Sequence, residues 1–128
     1  MRTYLITRYG ALGVFSLHTA LRLFLNGPNI WLDLLLYNLV AVMALVALFA
    51  SPAHNDPLAI AFLACAMGSW IVGSILSSYR EFFSTAPALD YLANIAYALF
   101  YPFAFIAIPR IISCLLYTSD AADDLTRV

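Results

Sequence analysis

Asp90-Tyr91-Leu92-Ala93-Asn94-Ile95-Ala96-Tyr97-Ala98-Leu99-Phe100-Tyr101-Pro102 lies inside the last long apolar run of the chain. Within it, Asp90, Asn94, Tyr97 and Tyr101 recur at steps of four, three and four. Those steps place side chains on one face of a helix. In hydrocarbon, a polar stripe on a helix must face protein or a wet cavity, because lipid offers no hydrogen-bond partners. The stretch therefore reads as a helix with neighbours, and its stripe is the first candidate for a ligand-binding or helix-packing face.

The rest of the chain supplies the solvent. Of its 128 residues, 64% are apolar and 10% are charged, against about 25% charged in an average soluble domain. The mean hydropathy is +0.90. A soluble domain of this length cannot hide so much apolar surface. The fold class expected is an all-α integral membrane helical bundle. The formal net charge is −1 and the basic residues are all Arg, which excludes a nucleic-acid surface built from clustered positive charge. Cys65 and Cys114 are too few for a disulfide framework. His18 and His54 show no metal-ligand spacing with them. There is no Gly-rich phosphate loop and no Ser/His/Asp pattern. The chain itself is expected to have no catalytic residues, no metal and no cofactor.

Four transmembrane helices are expected, at about 4–25, 30–50, 57–78 and 89–112. The first carries Arg8 and Arg22 near its ends, where long side chains reach the headgroups. Its alternative is an amphipathic helix lying in the interface. Asn26-Gly27-Pro28-Asn29 then breaks the chain into a turn. The second, Ile30–Ala50, is long enough at about 1.5 Å per residue to cross roughly 30 Å of hydrocarbon. Trp31 opens it as an interfacial aromatic, and Asp33 and Tyr37 put polar groups in its first turns. Asp33 reads either as an interfacial cap or as a pocket-lining group, and it joins Tyr37 and the 90–101 stripe among the candidate site residues. In the third helix Ala61, Cys65, Ser69, Gly73 and Ser77 recur every fourth residue. Small side chains let another helix approach closely, so this stripe is assigned to helix packing. Trp70 lies deep in that span, and its indole N–H needs a partner. In the fourth helix Pro102 removes a ladder hydrogen bond, and a kink is expected near the freed carbonyl of Ala98.

Arg2, Arg8 and Arg110 fall on one side of the membrane, Arg22 and Arg80 on the other. By the positive-inside rule this places the N-terminus in the cytoplasm. After Ile112 the character changes. Leu115 to Val128, Leu-Leu-Tyr-Thr-Ser-Asp-Ala-Ala-Asp-Asp-Leu-Thr-Arg-Val, closely resembles a translated sequencing adapter. Residues 113–128 are accordingly expected to be a non-native tail, with the natural protein continuing past Ile112 in another sequence.

A family resemblance gathers at the opening stretch. Asn94-Ile95-Ala96-Tyr97-Ala98-Leu99-Phe100-Tyr101-Pro102 resembles the Asp-x-x-Tyr-x-x-Phe-Tyr-Pro element of multi-helix membrane sensor regions. These precede GGDEF and EAL domains in bacterial cyclic-di-GMP signalling proteins, and similar regions precede some histidine kinases. Asp33-Leu34-Leu35-Leu36-Tyr37-Asn38 resembles the start of an earlier helix of that element order, and Trp70-Ile71-Val72-Gly73 its Trp-x-x-Gly. Asn94 stands where the family has Asp, Ser74 where an acidic residue often follows the Gly, and the loop 51–56 lacks the usual basic residues. The resemblance implies an incomplete sensor domain: the signal-input fragment of a signalling protein in the bacterial inner membrane, multi-pass, with its output domain missing. That output would be a diguanylate cyclase, or in the alternative a histidine kinase. The implied partners are the lipid bilayer, further transmembrane helices, the cytoplasmic output domain and a second copy in a homodimer. A third reading, a small transport or channel component, would use the polar faces as a pathway, but only Asp33 and Asp90 are membrane-proximal carboxylates.

Overall fold

A computed structural model describes residues 2–51 and 56–126, with backbone alone at 115 and 117–126. His54, most of the 51–56 loop and the last two residues of the adapter-like tail lie outside the described residues. The chain forms α1 (Arg2–Phe24), a π-helical entry (Trp31–Leu36) running directly into α2 (Tyr37–Ala50), α3 (Pro57–Phe83) and α4 (Pro87–Thr126). No strand occurs among the described residues, so the all-α expectation holds. Three stretches are long and apolar enough to cross a membrane: Trp31–Ala50, Pro57–Phe83 and Pro87–Cys114, with hydropathies of 2.3, 2.0 and 1.8. α1 is not among them; it carries Arg2, Arg8 and Arg22 and buries no residue.

The helices are set apart by short, chemically explicit breaks. Gly27 takes a φ of +90°, a left-handed conformation that only glycine adopts cheaply, and this turns the chain between α1 and α2. Asp56 caps α3: its carboxylate accepts from the N–H groups of Leu58 at 3.0 Å and Ala59 at 3.1 Å. Pro57 follows at the first helical position, where its missing N–H costs nothing. The expected long connection after residue 78 is corrected. α3 continues through Tyr79, Arg80 and Glu81 to Phe83, and α4 starts at Pro87, which leaves only Ser84–Ala86 between them. Charged residues with good helix propensity carry a helix out of the hydrocarbon without ending it. α4 likewise runs through Pro102 and Pro109 as one helix.

Successive helices are antiparallel neighbours, and packing is concentrated in two hairpins. α3 packs most extensively on α4 and α1 on α2, while a smaller α2–α3 contact joins the pairs. Among the described residues α1 does not pack on α3 or α4, so the bundle is open along one side. α1 and α2 run together end to end: Tyr4 and Ser51 line one groove, and Arg22 reaches Asp33 at the other end.

The α3–α4 seam is built from small residues. Ala59, Ala66 and Gly73 are buried on α3; Ala93, Ala96, Ala104 and Ala107 are buried on α4. Of the stripe expected to pack, only Gly73 is buried, Ser69 is half-buried, and Ala61, Cys65 and Ser77 are exposed. The reason is angular. A step of four residues advances about 400°, so a four-residue repeat drifts about 40° each time and leaves the contact face. A seven-residue step, Ala59 to Ala66 to Gly73, stays nearly in register over the same length. Aromatic rings flank this seam, with Trp70 edge-on to Tyr97 at 4.9 Å and to Phe100 at 5.4 Å, and Phe62 near Phe103 at 6.3 Å.

Charge clips tie α3 to α4. Arg80 pairs with Asp90 at 2.9 Å across the α3–α4 connection, and Arg110 of α4 pairs with Asp56 at 2.9 Å at the other end. The Arg110 guanidinium, with help from the Ala59 N–H, holds the Asp56 carboxyl below its ordinary value of 3.8.

Two predictions follow from these contacts. A Cβ on Gly73 would sit 2.8 Å from the Tyr97 ring, whereas one on Gly68 meets nothing within 4 Å. Gly73→Ala is therefore expected to cost about 1–3 kcal/mol through overpacking, and Gly68→Ala to be neutral or to gain up to about 1 kcal/mol of helix propensity, as read by thermal unfolding in lipid nanodiscs. For Asp56 the sign is set by its lowered folded-state value. Its contribution is fully present above the unfolded value near 3.8 and is lost as pH falls through the folded one. The melting temperature of the wild type should exceed that of Asp56→Asn at neutral pH, and the gap should close in acid below that range.

Candidate functional site

At the end where α1 and α3 finish and α2 and α4 begin, the helices border an open cleft of about 450 Å³. His18 and Arg22 reach it from α1, Asp33 and Tyr37 from the entry and first turn of α2. Ser74, Ser77, Ser78 and Glu81 line it from α3, and Tyr97 comes from α4. All four helices thus contribute polar groups to one space.

The π-helical entry positions the α2 side of this cleft. Its last wide bond runs from the Tyr37 N–H to the Leu32 carbonyl. From Asn38 the helix reverts to the tighter four-residue step, so the Asp33 carbonyl is skipped by the ladder. A carbonyl out of water needs a donor, and at this half-buried position the Ser78 hydroxyl of α3 donates to it at 3.4 Å. The irregular turn therefore converts a helix-internal bond into one between helices. The Asn38 side chain donates to the Leu34 carbonyl at 2.7 Å, while its own amide oxygen is buried without a partner.

Asp33 uses both of its carboxylate oxygens. One carboxylate oxygen accepts from the Asn29 N–H at 2.9 Å, which ties down the start of the helix. The other meets the Arg22 guanidinium of α1. Arg22 also donates to the Gly27 carbonyl at 2.7 Å, so both of its terminal nitrogens are engaged. Tyr37 stands behind this pair. Its hydroxyl accepts from the Trp70 indole at 3.2 Å, the partner that a deep indole N–H requires. Its ring lies 6.0 Å from that of His18. Trp70 in turn packs edge-on to Tyr97, and Ser74 and Ser77 flank the Tyr97 hydroxyl.

The candidate stripe divides. Tyr97 turns into the cleft with Asp33 and Tyr37. Asp90 is half-buried outside it, held by Arg80. Asn94 is exposed, and Tyr101 is 67% exposed against an apolar hollow with Pro102 and Phe105. At about 100° per residue, Asn94 lies some 60° further from the Ala93–Ala107 seam than Tyr97 does. The stripe shares a face, but that face flanks the seam and only its near edge turns inward. Sequence reading missed His18, Arg22, Ser78 and Glu81 as cleft residues. The one-turn spacing of His18 and Arg22 was the available signal; the Ser78 contact depends on the π turn and has none.

A larger groove of about 610 Å³ between α1 and α2 is lined almost wholly by apolar side chains, with Arg8 at one end. It lacks the convergent polar groups of a specific site. Among the described residues, no three His, Cys, Asp or Glu side chains gather as a metal-binding group. Scans against protein-family models, curated proteins and solved structures return no match.

The Arg22–Asp33 pair generates a stability prediction. Its side chains are 34% and 19% exposed, intermediate between surface pairs and fully buried ones. Arg22→Ala and Asp33→Ala should each cost roughly 1–3 kcal/mol. The double substitution should cost less than the sum, because no unpaired charge remains; a double-mutant cycle by unfolding in detergent micelles measures the difference.

Proposed function

We propose that this chain is the membrane-embedded signal-input region of a bacterial signalling protein, whose output domain, a diguanylate cyclase, belongs to sequence beyond the helices. The observation that carries the reading is the cleft, into which each of the four helices sends a polar side chain. A small polar ligand seated there would touch every helix at once. It could then favour one packing of the helices over another, which is what a ligand must do to shift a two-state equilibrium. The coupling element is the Tyr37–Trp70–Tyr97 chain, because it joins the α2 edge of the cleft to α4, and α4 leads toward the C-terminal side.

In this reading the protein is multi-pass in the inner membrane with its N-terminus in the cytoplasm, and the cleft opens on the outer side. The exposed Asn94 amide and Tyr101 face further transmembrane helices of the full-length chain or the second subunit of a homodimer. Residues 113–128 are the adapter-derived replacement for the natural continuation.

The test begins with the gene, read through the codons after Ile112; a stop codon there overturns the proposal, and a GGDEF-type domain supports it. In the full-length protein, Tyr37→Phe and Tyr97→Phe are expected to shift cyclic-di-GMP output by about fivefold at unchanged membrane levels, the effect of losing one hydrogen bond of ~1 kcal/mol. Output identical to wild type in both variants would count against it.

A further inference from the structure

We infer that the cleft selects a small organic cation, a primary or di-amine, and that Glu81 is the residue that reads its charge; this rests on the cleft being the input site. The volume of about 450 Å³ is that of a small-molecule site. The choice of ligand class follows from which charges in and around it are already committed.

Arg22 cannot readily receive an anion. Its terminal nitrogens are held by the Asp33 carboxylate and the Gly27 carbonyl. Arg80, adjacent to Glu81, is held by Asp90 at 2.9 Å. Glu81 lines the cleft and enters no ion pair among the described residues. With histidine counted as neutral, the charged lining is one Arg against Asp33 and Glu81, a net −1. Glu81 also sits in the last turn of α3. The ends of α1 and α3 meet the starts of α2 and α4 here, so their helix dipoles oppose one another and the net negative side-chain lining sets the preference for cations.

The remaining lining suits an ammonium group. The hydroxyls of Ser77, Ser78 and Tyr97 can accept its N–H donors. Tyr37 and Tyr97 also line the space, and aromatic side chains attract organic cations through the ring quadrupole. A divalent metal fits less well, since no three acidic or ligating side chains come together among the described residues.

Trp70 supplies the readout, because its indole is bonded to Tyr37 and packed on Tyr97. The chain has two tryptophans, so Trp31→Phe leaves Trp70 as the sole reporter. The full chain in lipid nanodiscs is titrated with 1-aminopropane and 1,4-diaminobutane, and with 1-propanesulfonate and 1-propanol as anionic and neutral controls. A saturable change in Trp70 fluorescence is expected with the amines alone. Glu81→Gln should weaken it by about tenfold, the scale of losing one charged partner, and Glu81→Asp should retain most of it. No saturable change with either amine, equal saturation by sulfonate or alcohol, or wild-type affinity in Glu81→Gln would each overturn the assignment. The underlying reading fails differently: amine binding that leaves the full-length protein's output unchanged sinks the signal-input role and spares the ligand class. Output that responds to Tyr97→Phe without any amine binding does the reverse.

Discussion

The indole of Trp70 joins the two halves of the bundle. It donates to the Tyr37 hydroxyl of α2 at 3.2 Å and packs edge-on against Tyr97 and Phe100 of α4. Lipid provides no hydrophobic drive between helices, so their association rests on close packing and on hydrogen bonds. The two hairpins, α1–α2 and α3–α4, each have an extended seam, whereas the α2–α3 contact between them is limited. A side chain that is large, partly polar and deep in the span can satisfy both requirements at once. Gly73 makes this geometry feasible: it lies nearly one turn further along α3, and the absence of its side chain admits the Tyr97 ring.

The charges follow a consistent placement. Arg22–Asp33 and Arg80–Asp90 sit at helix ends, Arg110–Asp56 ties the N-cap of α3 to the body of α4 where its apolar span runs out, and each pair joins neighbouring elements of an antiparallel pair. There, partial hydration lowers the desolvation cost that would make a mid-bilayer pair expensive. The pairs hold the helix ends while the small-residue seams hold the middles. Glu81 departs from this scheme, and it does so beside the cleft.

Much of the fold could be read from composition and helix-breaking residues. The Asn26–Asn29 turn and the helical, membrane-spanning character of residues 30–112 follow from apolar length and from Gly and Pro placement. The site was only half legible. Asp33, Tyr37 and Tyr97 were identifiable because polar groups in apolar helices stand out; that they share one cleft depends on tertiary packing. The Ala61–Ser77 stripe leaves the α3–α4 seam for an arithmetic reason, since a four-residue repeat looks periodic in sequence while rotating around the helix. Glu81 reads as an ordinary connection residue and Ser78 as the last residue of its helix, because the apolar run of α3 stops there. Helices end where capping and backbone chemistry change, and here that is at Ser84, more than a turn past the last residues of the apolar run.

Two irregularities of the spanning helices, the π turn of α2 and Pro102 of α4, fall on either side of Trp70. In α2 the π turn frees the Asp33 carbonyl, and in α4 Pro102 removes the donor that would have met the Ala98 carbonyl. Each leaves a helix locally short of one internal bond. In α2 the loss is made good by Ser78 of α3, so the shape of that turn depends on where α3 lies. A regular helix would have kept its bonds to itself and been indifferent to its neighbours. Placing Asp33 and Tyr37 on the irregular turn, and Tyr97 one turn before the proline, puts the cleft residues where backbone hydrogen bonding resists displacement least. In α2, at least, the residues that line the cleft stand on a turn whose hydrogen bonding is shared with α3, so its geometry and the position of α3 are set together.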